Sequence, residues 1–218
     1  FRPLAEHLDQ LPFDSPAPKA IRYGISQALL DAVARSKKVT MAEVIAQEYQ
    51  TVISEKPIPI FAQSGDEIYT NVDKMILKRV AVLPHGLINN VEQKVGHHGE
   101  ILLEYIRWIA KRIAALTGEE YHPRLHIDVY GTLGQVFAGN LDLLADYIAK
   151  MAAAAWPYSL QLEGPLDAGS RAAQIESLYA LRMILKQKCV NVPIVADEWC
   201  NTLDDIQAFT TAQAADFV

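Results

Sequence analysis

Apolar and polar residues follow two different patterns along the chain, and the change comes near residue 57. Before it, an apolar stripe at four-residue spacing predicts a helix from Lys19 to about Ser36; the stripe comprises Ile21, Ile25, Leu29 and Val33. Thr40 and Glu43 have capping-box spacing, which predicts a second helix from Thr40 to about Gln50. Residues 1–56 are therefore predicted to be helical without a strand, like the last part of a preceding domain.

From residue 57 onward, short apolar segments alternate with helical segments of ten to twenty residues. The predicted strands are Ile58–Gln63, Arg79–Pro84, Leu125–Tyr130, Ser159–Glu163, Val192–Asp197 and Ala215–Val218. The predicted helices between them are Glu67–Lys78, Gly99–Leu116, Asn140–Ala155, Ser170–Lys188 and Thr202–Thr210. Strict alternation of this kind predicts an α/β fold with parallel strands joined by crossover helices.

A doubly wound sheet and a closed β/α barrel both produce such alternation. The dinucleotide fingerprint G-x-G-x-x-G follows none of the strands, which favours the barrel. A full barrel needs eight units and about 250 residues. Residues 57–218 hold five units and the start of a sixth strand, so we expect the barrel to be incomplete in this chain. We also expect the chain to be a fragment at its C-terminus, and at its N-terminus too.

Composition narrows the possible functions. The 218 residues carry a formal net charge of −6 and are half apolar, which argues against a basic nucleic-acid surface. No apolar run reaches the roughly 20 residues that a bilayer needs, and no signal-peptide core is visible at the start. The two cysteines are too few for a disulfide framework. We therefore expect a cytoplasmic protein with no membrane or nucleic-acid partner.

Three carboxylates end three successive predicted strands. Asp128, Glu163 and Asp197 are spaced by 35 and 34 residues, which is one strand–helix unit each. In a parallel barrel all strand carboxyl ends lie on one face, and neighbouring strands are about 4.8 Å apart. The three side chains are therefore predicted to converge on one small volume.

Such a cluster of anions favours a hard divalent cation. Close carboxylates raise each other's pKa, and Mg²⁺, or alternatively Mn²⁺, relieves the repulsion through oxygen ligands. The competing interpretation is that each acid caps the helix that follows its strand. Three acids in consecutive units favour the metal. The sequence does not decide the role of Glu198, which supports the metal ligands, contacts the substrate or does neither.

Other polar residues point to the same face. Gln63 ends the first predicted strand, and His85 follows the second, where it is either a general acid–base group or a surface residue. His126 lies two residues before Asp128, so it is expected to fill a barrel layer or to support that aspartate rather than to bind metal.

Strand-end Asp, Glu and Asp residues around one Mg²⁺ resemble the enolase superfamily, and longer strings resemble methylaspartate ammonia-lyase. These strings include Ile60-Phe61-Ala62-Gln63-Ser64-Gly65, Leu83-Pro84-His85-Gly86-Leu87, Leu125-His126-Ile127-Asp128-Val129-Tyr130, Glu163-Gly164-Pro165-Leu166 and Ala196-Asp197-Glu198-Trp199-Cys200. The resemblance covers nearly the whole chain. It implies an enolase-superfamily barrel at 57–218, and it makes residues 1–56 the helical end of an α+β capping domain.

The resemblance also implies an activity and roles for individual residues. Members deaminate 3-methylaspartate to mesaconate and ammonia and are typically homodimers. Asp128, Glu163 and Asp197 would bind Mg²⁺, and His85 would flank the substrate. Gln63 would contact the substrate, with Phe61 as an apolar wall of the pocket.

One departure from the family pattern leaves alternatives open. The family's catalytic lysine would lie beyond Val218, so the chain as it stands could be an inactive metal-binding fragment. A racemase or cycloisomerase of the same superfamily is disfavoured, because no Lys-x-Lys ends the second strand.

Overall fold

The computed structural model describes residues 1–11 and 19–218, in two compact units of residues 1–58 and 59–218. The first unit contains the helices α1 (Arg2–Gln10), α2 (Lys19–Lys37) and α3 (Met41–Glu48). In its described part, 1–11 and 19–58, there is no strand. The predicted capping box is confirmed, because Thr40 accepts from the Glu43 amide and the Glu43 carboxylate accepts from the Thr40 amide. α1 was not predicted, and the assignment of this unit to a capping domain stays a prediction.

The second unit is built on four parallel strands in sequential order, β1-β2-β3-β4. They are β1 (Val82–Leu87), β2 (Arg124–Asp128), β3 (Leu160–Glu163) and β4 (Ile194–Val195). Its helices are α4 (Thr70–Leu77), α5 (Glu100–Thr117), α6 (Thr132–Val136), α7 (Leu141–Ala155), α8 (Arg171–Gln187) and α9 (Leu203–Thr211), with a π-helical turn at Val91–Val95 and a 3₁₀ turn at Gly118–Glu120. Because a doubly wound sheet reverses its strand order at a switch point, the unreversed order supports the incomplete barrel.

The outer two predicted strands are shorter than expected. In place of Ile58–Gln63 there are single parallel bridges, from Phe61 to Val82 and from Gly65 to Gly86. At the other edge, Phe217 bridges to Val195 in place of a full strand at Ala215–Val218. Each segment pairs on one side only, and Ile58 and Ile60 are largely exposed. The apolar pattern of a segment does not show whether strands will pair with it on both sides.

β1 begins three residues later than predicted, at Val82 instead of Arg79. The chain needs Lys78 to Ala81 to leave α4, and Arg79 terminates the helix in a left-handed conformation with φ of +51°. The strand then continues past Pro84 and contains His85, which was expected to follow it. The pairing with β2 is irregular between Pro84 and Leu87, where His85 has a φ of +40°.

The core lies between the sheet and its helices. α5 contributes an apolar stripe that is fully buried, Leu102, Ile106, Ile109 and Ile113, at the spacing of one helix face. This packing fixes the strands and so their carboxyl ends. No helix in the described part of the chain is long and apolar enough to cross a membrane.

Candidate metal centre

The carboxyl ends of β2 and β3 bring two of the predicted metal ligands together. Asp128 and Glu163 are direct partners in the parallel register, and both are buried. The next partner of Glu163 is Val195, so Asp197 lies two residues past this row. β4 ends at Val195, which places the exposed Asp197 in the loop and not on the strand as expected.

The three carboxylates influence one another electrostatically. Asp197 is exposed as a residue, but partial desolvation of its carboxylate is the main cause that raises its pKa, and the negative charges of Glu163 and Asp128 raise it further. A divalent cation at this end of the sheet would remove that repulsion, and carboxylate oxygens are ligands that Mg²⁺ accepts. The donor chemistry therefore fits a hard metal ion.

His85 faces the same carboxylates. Its Nε2 lies 3.3 Å from Oδ2 of Asp128 and 3.9 Å from Oε2 of Glu163. The hydrogen bond with Asp128 is the main cause that raises the pKa of His85, while burial opposes it. The irregular backbone of β1 thus presents a titratable imidazole at the carboxylate pair, where it can exchange a proton with a bound molecule.

The two predicted substrate contacts are placed differently. Phe61 is half exposed, and its ring stacks on His85 with a centroid distance of 5.1 Å. Gln63 is exposed and lines a pocket of about 370 Å³ together with Asn71 and Lys78. Within residues 1–11 and 19–218, its side chain makes no hydrogen bond. Phe61 therefore packs against His85, and the substrate contacts predicted for Phe61 and Gln63 both stay predictions.

His126 lies in the barrel interior, as one of the two expected placements has it, but it does not contact Asp128. It is fully buried, and its Nε2 lies 2.5 Å from Oε2 of Glu163 on the neighbouring strand, not against Asp128. Nε2 is buried and makes no hydrogen bond among the described residues, although it contacts this oxygen. One group of potential metal ligands in the described part of the chain has all its ligand atoms within 4.8 Å of one another. It consists of His85, His126 and Glu163.

Glu198 packs beneath the end of β3. Its Oε2 is buried without a hydrogen-bond partner among the described residues, and burial raises its pKa to about 7. Gly164 makes room for it: the φ of Gly164 is +57°, and a Cβ there would lie 2.8 Å from Oε1 of Glu198. Glycine at this position thus adopts the positive φ without strain, and an alanine there would displace the end of the Glu198 side chain.

Comparison with known proteins identifies one family over both units. The family model described as methylaspartate ammonia-lyase N-terminus matches residues 1–50, and the one described as its C-terminus matches residues 52–218. Methylaspartate ammonia-lyase 2 of Carboxydothermus hydrogenoformans is 55% identical over 93% of this chain and 49% of its own length. Methylaspartate ammonia-lyase of Clostridium tetanomorphum is 50% identical over 100% of this chain and 53% of its own length.

Solved structures agree with the sequence relatives. The Citrobacter amalonaticus methylaspartate ammonia lyase containing (2S,3S)-3-methylaspartic acid is 48% identical, with a TM-score of 0.86 over 99% of this chain and 53% of that one. The Mg complex of β-methylaspartase from Clostridium tetanomorphum is 50% identical, with a TM-score of 0.81 over 98% of this chain and 52% of that one. The chain spans about half the length of the curated relatives it matches.

Proposed function

The chain belongs to the methylaspartate ammonia-lyase family, and we propose on that premise that its natural gene product, called the full-length protein below, converts 3-methylaspartate to mesaconate and ammonia. The observation that carries the proposal is the pairing of Asp128 with Glu163 at adjacent strand ends, with Nε2 of His85 3.3 Å from Asp128. Carboxylates for a metal and a neighbouring acid–base group are what removal of a weakly acidic proton beside a carboxylate requires.

Asp128, Glu163 and Asp197 are the residues that would hold Mg²⁺, with Mn²⁺ as an alternative. The electrostatics of Asp197 support this: desolvation is the main cause that raises its pKa, and the negative charges of Glu163 and Asp128, which a cation would offset, raise it further. When bound, the metal would stabilise the negative charge that develops on the substrate carboxylate. The relative solved as a Mg complex supports the choice of metal.

The remaining residues bind and orient the substrate and move its proton. His85 receives or returns a proton at Nε2 on one face of the substrate carbon. Phe61 excludes water on the side where its ring stacks on His85, and Gln63 contacts the substrate. The second base is the lysine that the resemblance implies beyond Val218. The full-length protein acts as a cytoplasmic homodimer, which light scattering and cell fractionation test.

The direct experiment is to incubate purified full-length protein with 3-methylaspartate and Mg²⁺ and to follow the absorbance of the conjugated product. We expect product, and much less of it from Asp128→Asn. His122→Gln is the control, because His122 is exposed and precedes β2. A protein that leaves 3-methylaspartate unchanged but acts well on an unrelated acid would refute the assignment.

A further inference from the structure

A row of polar side chains runs through the interior of the sheet below the carboxylates. It consists of Arg124, Gln161, His126 and Glu163, and we call it the polar ladder. His126 is fully buried and Gln161 is nine-tenths buried, so their polar atoms depend on one another and not on bulk water. His126 and Gln161 are register partners on β2 and β3, one step before the pair Asp128 and Glu163.

The orientation of the Gln161 amide follows from Arg124. A guanidinium nitrogen of Arg124 lies 3.3 Å from Oε1 of Gln161 and donates to it. An arginine side chain has no acceptor, so the carbonyl oxygen of the amide must face it. The amide nitrogen of Gln161 therefore faces His126, 2.6 Å from its Nδ1.

The amide in turn fixes the proton on the imidazole. Because Nε2 of Gln161 can only donate, Nδ1 of His126 must accept and carries no proton. The proton of the ring then sits on Nε2, which is the atom 2.5 Å from Oε2 of Glu163. The ladder thus places one N–H group in contact with one oxygen of Glu163, and a small rotation of either side chain would align the two as a hydrogen bond.

We propose that Gln161 and His126 are positioning residues for Glu163: Gln161 holds His126 in its Nε2–H tautomer, and that N–H holds one carboxylate oxygen, so that the other is directed to the metal. The inference rests on the metal site of the proposed function. It excludes His126 as a ligand, although Nε2 belongs to the closest group of ligand atoms, because a protonated nitrogen has no lone pair for a metal. The ion is therefore assigned to the carboxylates and not to His126.

The alternative is that the ladder only satisfies buried polar groups and stabilises the barrel. The two roles differ in what a replacement must keep. If His126 positions Glu163, a replacement must keep a hydrogen-bond donor at the place of Nε2. If its role is only structural, a replacement may lower the stability, but the folded protein keeps its metal affinity. His126→Gln keeps an N–H near the Nε2 position, and His126→Leu keeps volume but has no donor.

The first test locates the ring proton of His126 directly. In ¹⁵N NMR of metal-free full-length protein with labelled histidines, we expect His126 to show a protonated Nε2 and an unprotonated Nδ1. Loss of the signal in His126→Gln assigns it. In Gln161→Glu, where a carboxylate must accept, we expect the proton to move to Nδ1. A proton on Nδ1 in the unsubstituted protein would overturn the proposal.

The second test is Mg²⁺ affinity by calorimetry, on variants shown by thermal unfolding to be folded. We expect His126→Leu to bind Mg²⁺ roughly 10–100-fold more weakly, the usual effect of removing a group that orients a metal ligand. His126→Gln should stay close to the unsubstituted protein, and so should the control His122→Leu. Equal weakening by His126→Leu and His126→Gln, or no weakening by either, would overturn the proposal.

These results separate this inference from the proposed function. If 3-methylaspartate is not converted while the tautomer and the order of Mg²⁺ affinities hold, the proposed reaction fails and the ladder stands. If 3-methylaspartate is converted while the ring proton lies on Nδ1, the ladder fails and the proposed reaction stands.

Discussion

Substituting Gly164 tests whether the turn after β3 serves the site or only the fold. Gly164 has a φ of +57°, and a Cβ there would come within 2.8 Å of Oε1 of Glu198. An ordinary contact needs at least 3.4 Å, so Gly164→Ala must push the Glu198 carboxylate by about 0.6 Å or more. The Glu198 carboxylate interacts electrostatically with Asp197 and Asp128, so its displacement is expected to affect the proposed metal ligands.

The matched control is Gly139→Ala. Gly139 has a φ of +71°, and a Cβ there would meet nothing within 4 Å. Each alanine pays a similar conformational cost in the left-handed region, about 1–2 kcal/mol. In a domain of 150–250 residues that lowers the melting temperature by roughly 2–8 °C. Both variants should therefore melt earlier by similar amounts.

Activity should separate the two variants. A displacement on the order of 1 Å at a catalytic site can cost about 10²-fold in rate, so we expect Gly164→Ala to lose between several-fold and that amount in kcat. Gly139→Ala should keep its kcat at temperatures where it is folded. The assay is mesaconate formation by the full-length variants alongside thermal unfolding. Similar melting shifts with an undiminished kcat in Gly164→Ala would refute the coupling between Glu198 and the site.

Three further predictions follow from the same structure. Glu163→Gln should weaken Mg²⁺ binding and abolish turnover, whereas the exposed Glu176→Gln should not; unchanged Mg²⁺ affinity in calorimetry would mean that the ligand is misplaced. His85→Ala should slow one diastereomer of 3-methylaspartate by roughly 10²–10⁴ relative to the other, and equal slowing of both would mean that His85 shapes the pocket without acting as a face-specific base. The Arg112 guanidinium, which binds Asp73 through two hydrogen bonds of 2.6 Å, lowers the pKa of that carboxyl. The ion pair therefore stabilises the fold above the ordinary pKa of an aspartate, and this stabilisation is lost as the pH falls through the lowered pKa of Asp73. Asp73→Asn should make the acid unfolding, followed by circular dichroism, less dependent on pH. An unchanged acid profile would contradict this.

The sequence predicts the parts of the fold whose periodicity is set by burial. β2 and β3 lie within one or two residues of the predicted segments, because both faces of a parallel strand are covered and the apolar run is continuous. The helices α5, α7 and α8 are placed to within one residue at each end, with a glycine, asparagine or serine immediately before each. These signals are local, so one sequence is sufficient to see them.

Other elements depend on partners that are distant along the chain. The segment that begins at Ile58 is as apolar as a strand, yet pairing on one side leaves it with two bridges only. β1 starts late because Arg79 ends α4 in a left-handed conformation. The conformational preferences of arginine do not predict this. The same shift moves His85 into the strand. The site prediction therefore names the right face for His85 but the wrong local structure.

Part of the polar ladder could have been predicted from the sequence by using the strand register. Asp128 and Glu163 are 35 residues apart, and so are His126 and Gln161. If the first pair lies opposite in a parallel register, the second pair must as well, one layer deeper and facing the same way. A histidine and a glutamine that face each other in a barrel interior must hydrogen-bond, since neither can be buried unpaired at low cost. What spacing cannot give is the diagonal contact from His126 to Glu163, because that depends on side-chain length and rotamer. The sequence thus predicts the row of acidic residues, but the contact of His126 with Glu163 is seen only in the structure.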